Sequence, residues 1–346
     1  MATMTNQQIA TRAPQEVLLQ AGLAYINSAC LQVAAKLGIA DLLGDRSQTV
    51  SELARQSDVS EDYLFRVLRV LETNQIVAQV APRTFELTEA GQLLRTGVPG
   101  SLASAMKWLT DELHSEMYGN LTGTVKQGST TFDRLYGQSF FNWLSKSENS
   151  EEAQVFNDAM TSISQMCVPA FLEAYDFSSF THIVDVGGGH GALLRAILAK
   201  YDHLQGTVAE MACVVPETKA AIEVDGMADR CKAVECDFFA AVPSGGDAYL
   251  MKHIIHDWSD ELAIKLLRNI RAVIPQNGKL ILAEAVLDDT GAPHPGKLLD
   301  IEMMTFVGGR ERTEKEFREL LSAAGFKLTK VHQTKSPLSL IEAEGV

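Results

Sequence analysis

From residue 181 onward, short apolar runs alternate with helical segments, and this alternation constrains the fold more than any other feature of the chain. His182–Val186, Gln205–Ala209, Cys231–Cys236, Asp247–Lys252 and Lys279–Val286 read as strands. Ala192–Lys200, Glu261–Val273 and Glu314–Ala324 read as helices, and Phe326–Val331 as a further strand. Strands that are apolar on both faces need helices on both sides of the sheet. The expected architecture is a doubly wound, Rossmann-like α/β sheet over 176–346, which binds ligands at the carboxyl ends of its strands.

The first such end carries Asp185-Val186-Gly187-Gly188-Gly189-His190-Gly191-Ala192, a strand–glycine turn–helix. Glycines let the backbone approach a ligand, and the helix start favours a negative group. Gly187, Gly189 and Ala192 also satisfy the dinucleotide pattern, with Glu210 about 20 residues on as a ribose acid. A tight turn without a ligand is the bland alternative. Glu210 and Asp237 follow the second and third strands. The first carboxylate can take ribose hydroxyls, and the second can accept from an exocyclic amine with Phe238 against a ring face. Either acid could instead be a helix N-cap.

The fourth strand ends in Met251-Lys252-His253-Ile254-Ile255-His256-Asp257-Trp258. A histidine on the ligand side of a sheet is a natural general base, and it needs an acid to orient it. Glu284, near the end of the fifth strand, and Glu311 in Gly308-Gly309-Arg310-Glu311-Arg312-Thr313 are the candidates. His253 and His256 have metal-ligand spacing but no clear third ligand nearby, so no metal is expected. His253 reads as a packed core histidine.

Residues 1–100 read as short helices with one hairpin, Ile76–Val80 and Thr84–Leu87, in winged-helix order. Ser51 and Ser60 are expected N-caps, and Leu64, Val67, Leu68 and Leu71 share one helix face. The longest uncharged run, Val17–Ala35, is broken by Gln20, Asn27, Ser28 and Gln32, so a buried helix is expected there instead of a membrane span. Residues 101–175 read as mostly helical. Glu151–Tyr175 is one long helix with Phe156, Met160, Ile163 and Val168 as apolar anchors, kinked or ended at Pro169.

Taken together, Val184-Asp185-Val186-Gly187-Gly188-Gly189-x-Gly191, Lys252-x3-His256-Asp257-Trp258, Ala283-Glu284 and Gly308-Gly309-x-Glu311-Arg312-Thr313 resemble the S-adenosylmethionine-dependent O-methyltransferases, over nearly the whole chain. The group resembled includes plant caffeate and flavonoid enzymes and bacterial natural-product enzymes. The resemblance implies a winged-helix-like dimerisation domain at 1–100, a helical linker and acceptor-pocket region at 101–175, and a cofactor-binding catalytic domain at 176–346. It makes His256 the base, flanked by Glu284 and Glu311. It gives the methionine part of the cofactor to the glycine turn with Asp185, Gly187 and Gly189, the ribose to Glu210, and the adenine amine to Asp237. Phe238 and Trp258 would flank the adenine, and Lys252 would touch the cofactor. Met160, Asn157 and Met303, with Trp108 and His114, would line the acceptor site. The family's Phe-Asp-Leu-Pro after the second strand is Ala209-Glu210-Met211-Ala212 here, and Cys236 replaces a usual glycine.

The implied activity is methyl transfer to a phenolic hydroxyl of a small aromatic molecule, in a cytoplasmic homodimer. Alternatives are the same fold and cofactor used for hydroxylation, decarboxylation or pericyclic chemistry, an NAD-dependent dehydrogenase, and a winged-helix DNA-binding regulator. A net charge of −14, with only Arg66 and Arg69 on the recognition-type helix, speaks against nucleic acid. Five cysteines without a repeating spacing suit reduced thiols in a cytosol.

Overall fold

The computed structural model describes residues 13–346. They form two compact units, one ending at His114 and the other spanning Ser115–Val346.

The first unit contains α1 (Pro14–Lys36), α2 (Ile39–Leu43), β1 (Gln48–Thr49), α3 (Val50–Ser57), α4 (Glu61–Thr73), β2 (Val77–Ala81), β3 (Thr84–Leu87), α5 (Glu89–Gln92) and α6 (Ala103–Leu109). Helices α3 and α4 followed by the β2–β3 hairpin give the expected order. Leu53, Leu64, Leu68, Leu71 and Phe85 fill the core. The cap of α3 is Thr49, not Ser51. Its hydroxyl accepts from the Glu52 N–H while the Glu52 carboxylate accepts from the Thr49 N–H, and this reciprocal box satisfies two orphan donors that Ser51 would leave open.

Helix α1 corrects an expectation. It is not a buried helix: Leu18 is 76% exposed and Leu19 64%, and only Ala34 and Ala35 near its end are buried. The helix packs on α4 and α6. Most of its apolar surface is left uncovered by the described residues. By length and composition it could also cross a membrane.

Helix α7 (Glu112–Gly119) crosses the boundary, and the second unit continues with α8 (Leu121–Gln127), α9 (Thr131–Tyr136), α10 (Phe140–Leu144) and α11 (Ser150–Ala174). Helix α11 runs on through Pro169 to Ala174. Its buried residues are Ala159, Ser162, Ser164, Cys167 and Phe171, while the expected anchors Phe156, Met160, Ile163 and Val168 are only half-buried. Then follow β4 (His182–Val186), α12 (Ala192–Lys200), β5 (Gln205–Glu210), α13 (Val215–Val224), β6 (Cys231–Glu235), β7 (Ala248–Lys252), α14 (Asp260–Val273), β8 (Lys279–Glu284), β9 (Val286–Leu287), α15 (Gly296–Phe306), β10 (Arg312–Thr313), α16 (Glu314–Ala323), β11 (Phe326–His332) and β12 (Ser339–Gly345).

Seven strands form one sheet in the order β11-β12-β8-β7-β4-β5-β6. Strands β8, β7, β4, β5 and β6 are mutually parallel, and β12 inserts antiparallel to both its neighbours. Alternate residues feed two cores, one on each face. Ile183, Leu250 and Ile281 join the core that includes Leu194, Ile197 and Phe171, while Val184, Met251 and Leu282 join the one that includes Leu266, Ile270 and Phe317. Strand order reverses beside β4, between β5 on one side and β7 on the other. The crevice at such a switch point is where this class of sheet binds ligands.

Candidate active site

The glycine turn leaves β4 at this switch point. The Gly187 N–H donates to the Ala209 carbonyl (2.8 Å), and the Gly189 N–H to Glu210 Oε2 (2.9 Å). A Cβ on Gly187 would stand 2.5 Å from the Ile254 side chain, and one on Gly188 2.5 Å from Asp185 Oδ2. At Gly189, where φ is +55°, such an atom would meet nothing within 4 Å. The turn is therefore packed against the protein on its inner side and open at Gly189, where a ligand can approach the backbone. Asp185 lies buried beneath it. Burial pushes its carboxyl up to about 7, against the pull of Lys252.

Glu210 closes β5, with Oε1 accepting from the Met211 N–H (2.8 Å). Burial raises its pKa and these backbone donors oppose the rise. Asp237, just beyond β6, is exposed, and its Oδ1 accepts from the Phe239 N–H (2.9 Å). Phe238 and Trp258 are half-buried, with centroids 6.0 Å apart and planes at 75°. They form a corner in place of two parallel walls. An open glycine turn with carboxylates at two neighbouring strand ends and an aromatic corner fits a nucleoside with a polar tail.

His256 sits in a short 3-10 turn, Ile255–Asp257, directly after β7. It is buried, and its Nδ1 lies 2.6 Å from Glu311 Oε1. Glu284 takes a different part. Its Oε1 accepts from the N–H groups of Ile254 (3.0 Å) and Ile255 (2.9 Å), and its Oε2 is 3.8 Å from His256 Nδ1. Glu284 thus holds the turn that carries the histidine, while Glu311 holds the ring. The Asp257 carboxylate is 3.5 Å from Nε2. Burial alone would push the imidazole down, but Glu284, Asp257 and Glu311 outweigh it and hold the pKa at about 10. Lys252, at the end of β7, is pushed below its ordinary range by burial, and Cys167, Glu284, Asp185 and Asp257 oppose this.

Two further residues, to which sequence reading gave no role, build this centre. The Arg312 side chain is 1% exposed. Its guanidinium donates to the carbonyls of Ile255 (3.0 Å), Trp258 (2.9 Å) and Arg310 (3.2 Å), and to Asp260 (2.7 Å). Gly309 lies so close to the histidine turn that a Cβ there would stand 1.9 Å from the His256 carbonyl oxygen. The Arg310 N–H donates to that same carbonyl (2.8 Å). The sequence signal for both was their place in the Gly-Gly-x-Glu-Arg-Thr run beside Glu311.

His256, Glu284 and Glu311 each offer a donor atom within 4.8 Å of the others. A shared cation would hold its ligands about 2.0–2.2 Å from itself and so roughly 3 Å or more from each other. The 2.6 Å Nδ1–Oε1 contact is instead a hydrogen bond.

Beside this centre the second unit carries an aromatic cluster. Phe141 packs on Trp258 (5.6 Å between centroids), Phe140 on both Phe156 and Phe306 (5.5 Å each), and Phe132 on Phe306 (6.2 Å). Met303 on α15 is buried, and Asn157 and Met160 on α11 are half-buried. Trp108 belongs to the first unit, where its ring meets His114 edge-on at 4.7 Å.

This fold and arrangement are those of an α/β protein with a crevice that can take a nucleoside. Residues 118–327 match the O-methyltransferase domain family and residues 19–97 the O-methyltransferase dimerisation domain. The chain is 36% identical to the phenazine O-methyltransferase PhzM of Lysobacter antibioticus, over 99% of this chain and all of that one. It is 34% identical to the O-demethylpuromycin-O-methyltransferase of Streptomyces alboniger, over 96% of this chain and 89% of that one. The solved structure of LaPhzM superposes with a TM-score of 0.92 at 35% identity, covering 97% of this chain and all of that chain. The chain belongs to the O-methyltransferase family and is an enzyme that uses S-adenosylmethionine.

Proposed function

We propose that the enzyme methylates a phenolic hydroxyl of a small polycyclic or monocyclic aromatic molecule, with His256 as the general base. One observation carries this reading: a buried imidazole whose Nδ1 is bonded to Glu311 sits at the carboxyl end of β7, next to an aromatic wall and the glycine turn. The phenazine and puromycin enzymes to which the chain is similar support an aromatic acceptor.

When bound, S-adenosylmethionine supplies an electrophilic methyl group on a sulfonium. The turn at Asp185, Gly187 and Gly189, with Glu210, Asp237 and Lys252, would hold that cofactor, and Phe238 and Trp258 would cover its base. Met160, Asn157 and Met303 would line the acceptor site. The acceptor hydroxyl hands its proton to His256 Nε2, and Glu311 stabilises the resulting imidazolium through Nδ1–H. An imidazole near pKa 10 matches a phenol, whose own value is about 10, so proton transfer is close to balanced. An aliphatic hydroxyl would be far harder to deprotonate here.

A homodimer through the first unit follows from the matched dimerisation domain and from the uncovered apolar face of α1. A second copy on that face accounts for its exposure without a membrane. A cytoplasmic location suits the five cysteines, all free thiols.

The test is a panel of phenols with labelled methyl donor, alongside calorimetry with S-adenosylhomocysteine and with NAD. Methylation of at least one phenol and binding of the first nucleoside only are expected. Binding of NAD, or no methylation of any phenol, would sink the reading.

Two consequences follow. Because the base acts only when neutral, kcat/KM should rise with pH, with an apparent pKa displaced upward from 6.5 towards about 10. Glu311→Gln removes one of the carboxylates that hold the value up, so it should move this limb to lower pH. A limb that stays in place belongs to the phenol's own ionisation. Asp237→Ala should weaken S-adenosylhomocysteine binding about 10-fold, the loss of one charge-assisted hydrogen bond, with the acceptor KM little changed. Calorimetry and initial rates separate the two effects.

A further inference from the structure

His253, read from the sequence as a packed core histidine, is the residue that follows β7. Its backbone is left-handed, with φ +54°, a region that carries a steric cost for any residue with a Cβ, although histidine enters it more often than most. Its ring lies face to face with His256, with centroids 4.8 Å apart and planes 7° from parallel. Its Nδ1 is 3.4 Å from the Lys252 ammonium, which can only donate, so Nδ1 accepts and Nε2 carries the hydrogen. That Nε2 is buried with no hydrogen-bond partner among the described residues. A strained backbone and an unsatisfied donor, both at one residue beside the candidate base, are costs that the local fold retains for a reason.

We propose that His253 is a positioning residue for the reaction: its ring, set in place by the left-handed turn, fixes the tilt of the His256 imidazole. Glu311 holds His256 at one nitrogen, in the plane of the ring. A single hydrogen bond leaves the ring able to swing about that contact. A flat ring at stacking distance opposes the swing and keeps Nε2 aimed at the acceptor. The stacking ring must be uncharged, because it stands between two cations, Lys252 and the His256 imidazolium. Burial and repulsion from these two keep its pKa well below the usual histidine range.

The proposal rests on His256 being the base, but its readout does not need turnover. Full-length protein with isotope-labelled histidine, saturated with S-adenosylhomocysteine, is compared by NMR as wild type, His253→Gly and His253→Phe. His256→Asn assigns the signal of the Nδ1–H bonded to Glu311. Glycine relieves the left-handed strain, so the fold and the thermal midpoint are kept. Phenylalanine keeps a flat ring. In His253→Gly the Nδ1–H signal should broaden and exchange with solvent about 10-fold faster, and kcat should fall by a similar factor at unchanged cofactor affinity. His253→Phe should recover most of both. An Nδ1–H signal as sharp and as slow to exchange in His253→Gly as in wild type overturns the proposal, whatever the rates. Failure of the wild type to bind S-adenosylhomocysteine would instead overturn the methyltransferase reading.

Discussion

His256→Ala should lower the methylation rate at least roughly 100-fold, equal to about 2.7 kcal/mol of transition-state stabilisation, while S-adenosylhomocysteine binds as in the wild type. The separation follows from where the parts sit. The glycine turn, Glu210 and Asp237 belong to the ends of β4, β5 and β6, and the His256 side chain bonds to none of them. Its bond goes to Glu311 instead. Removing the imidazole leaves two buried glutamates without their cation, so some stability should be lost. Glu284 keeps its two backbone donors, and this limits the damage to the turn. The measurement is kcat with a phenol from the panel, paired with calorimetry. Turnover near the wild-type level would show that the hydroxyl ionises without this histidine.

The sheet was legible because its signals are local. The continuously apolar, buried runs of β4, β7 and β8 are written into consecutive residues, and helix Ala192–Lys200 has its expected ends. Strand β12 was not anticipated. Ser339–Gly345 takes its place between β11 and β8 by long-range pairing, and nothing local announces an antiparallel insertion. The same limit explains helix α1. Its composition says apolar, but not which surface would cover it. At the centre of the site, Glu284 and Glu311 were recognisable as acids near His256. Their division of labour, one holding the turn and the other the ring, depends on distances that no spacing encodes. The aromatic wall of Phe132, Phe140, Phe141, Phe156 and Phe306 is drawn from four separate helices, so it too appears only once the chain is folded.

Gly309→Ala should lower activity to nearly the same degree as His256→Ala, although residue 309 is not proposed to touch either substrate. A methyl group there would stand 1.9 Å from the His256 carbonyl oxygen and 2.4 Å from the Asp257 carbonyl carbon. Both are backbone atoms, so no side-chain rotation can relieve the clash, and the two segments must separate by an ångström or more. Separation breaks the Arg310 N–H bond to the His256 carbonyl and pulls the Arg312 guanidinium from the carbonyls of Ile255 and Trp258. Glu311 moves with them, away from the ring that it orients. A misplacement of about 1 Å at a reacting group costs on the order of 100-fold in rate, and the overpacking costs roughly 1–3 kcal/mol in stability. The glycine turn at 187–191 is built on other strands, so S-adenosylhomocysteine affinity should fall far less than kcat. Rates, calorimetry and thermal melting of the variant decide the matter. If Gly309→Ala turns over normally, the two segments do not have to touch for the base to work, and the close packing around His256 serves stability alone.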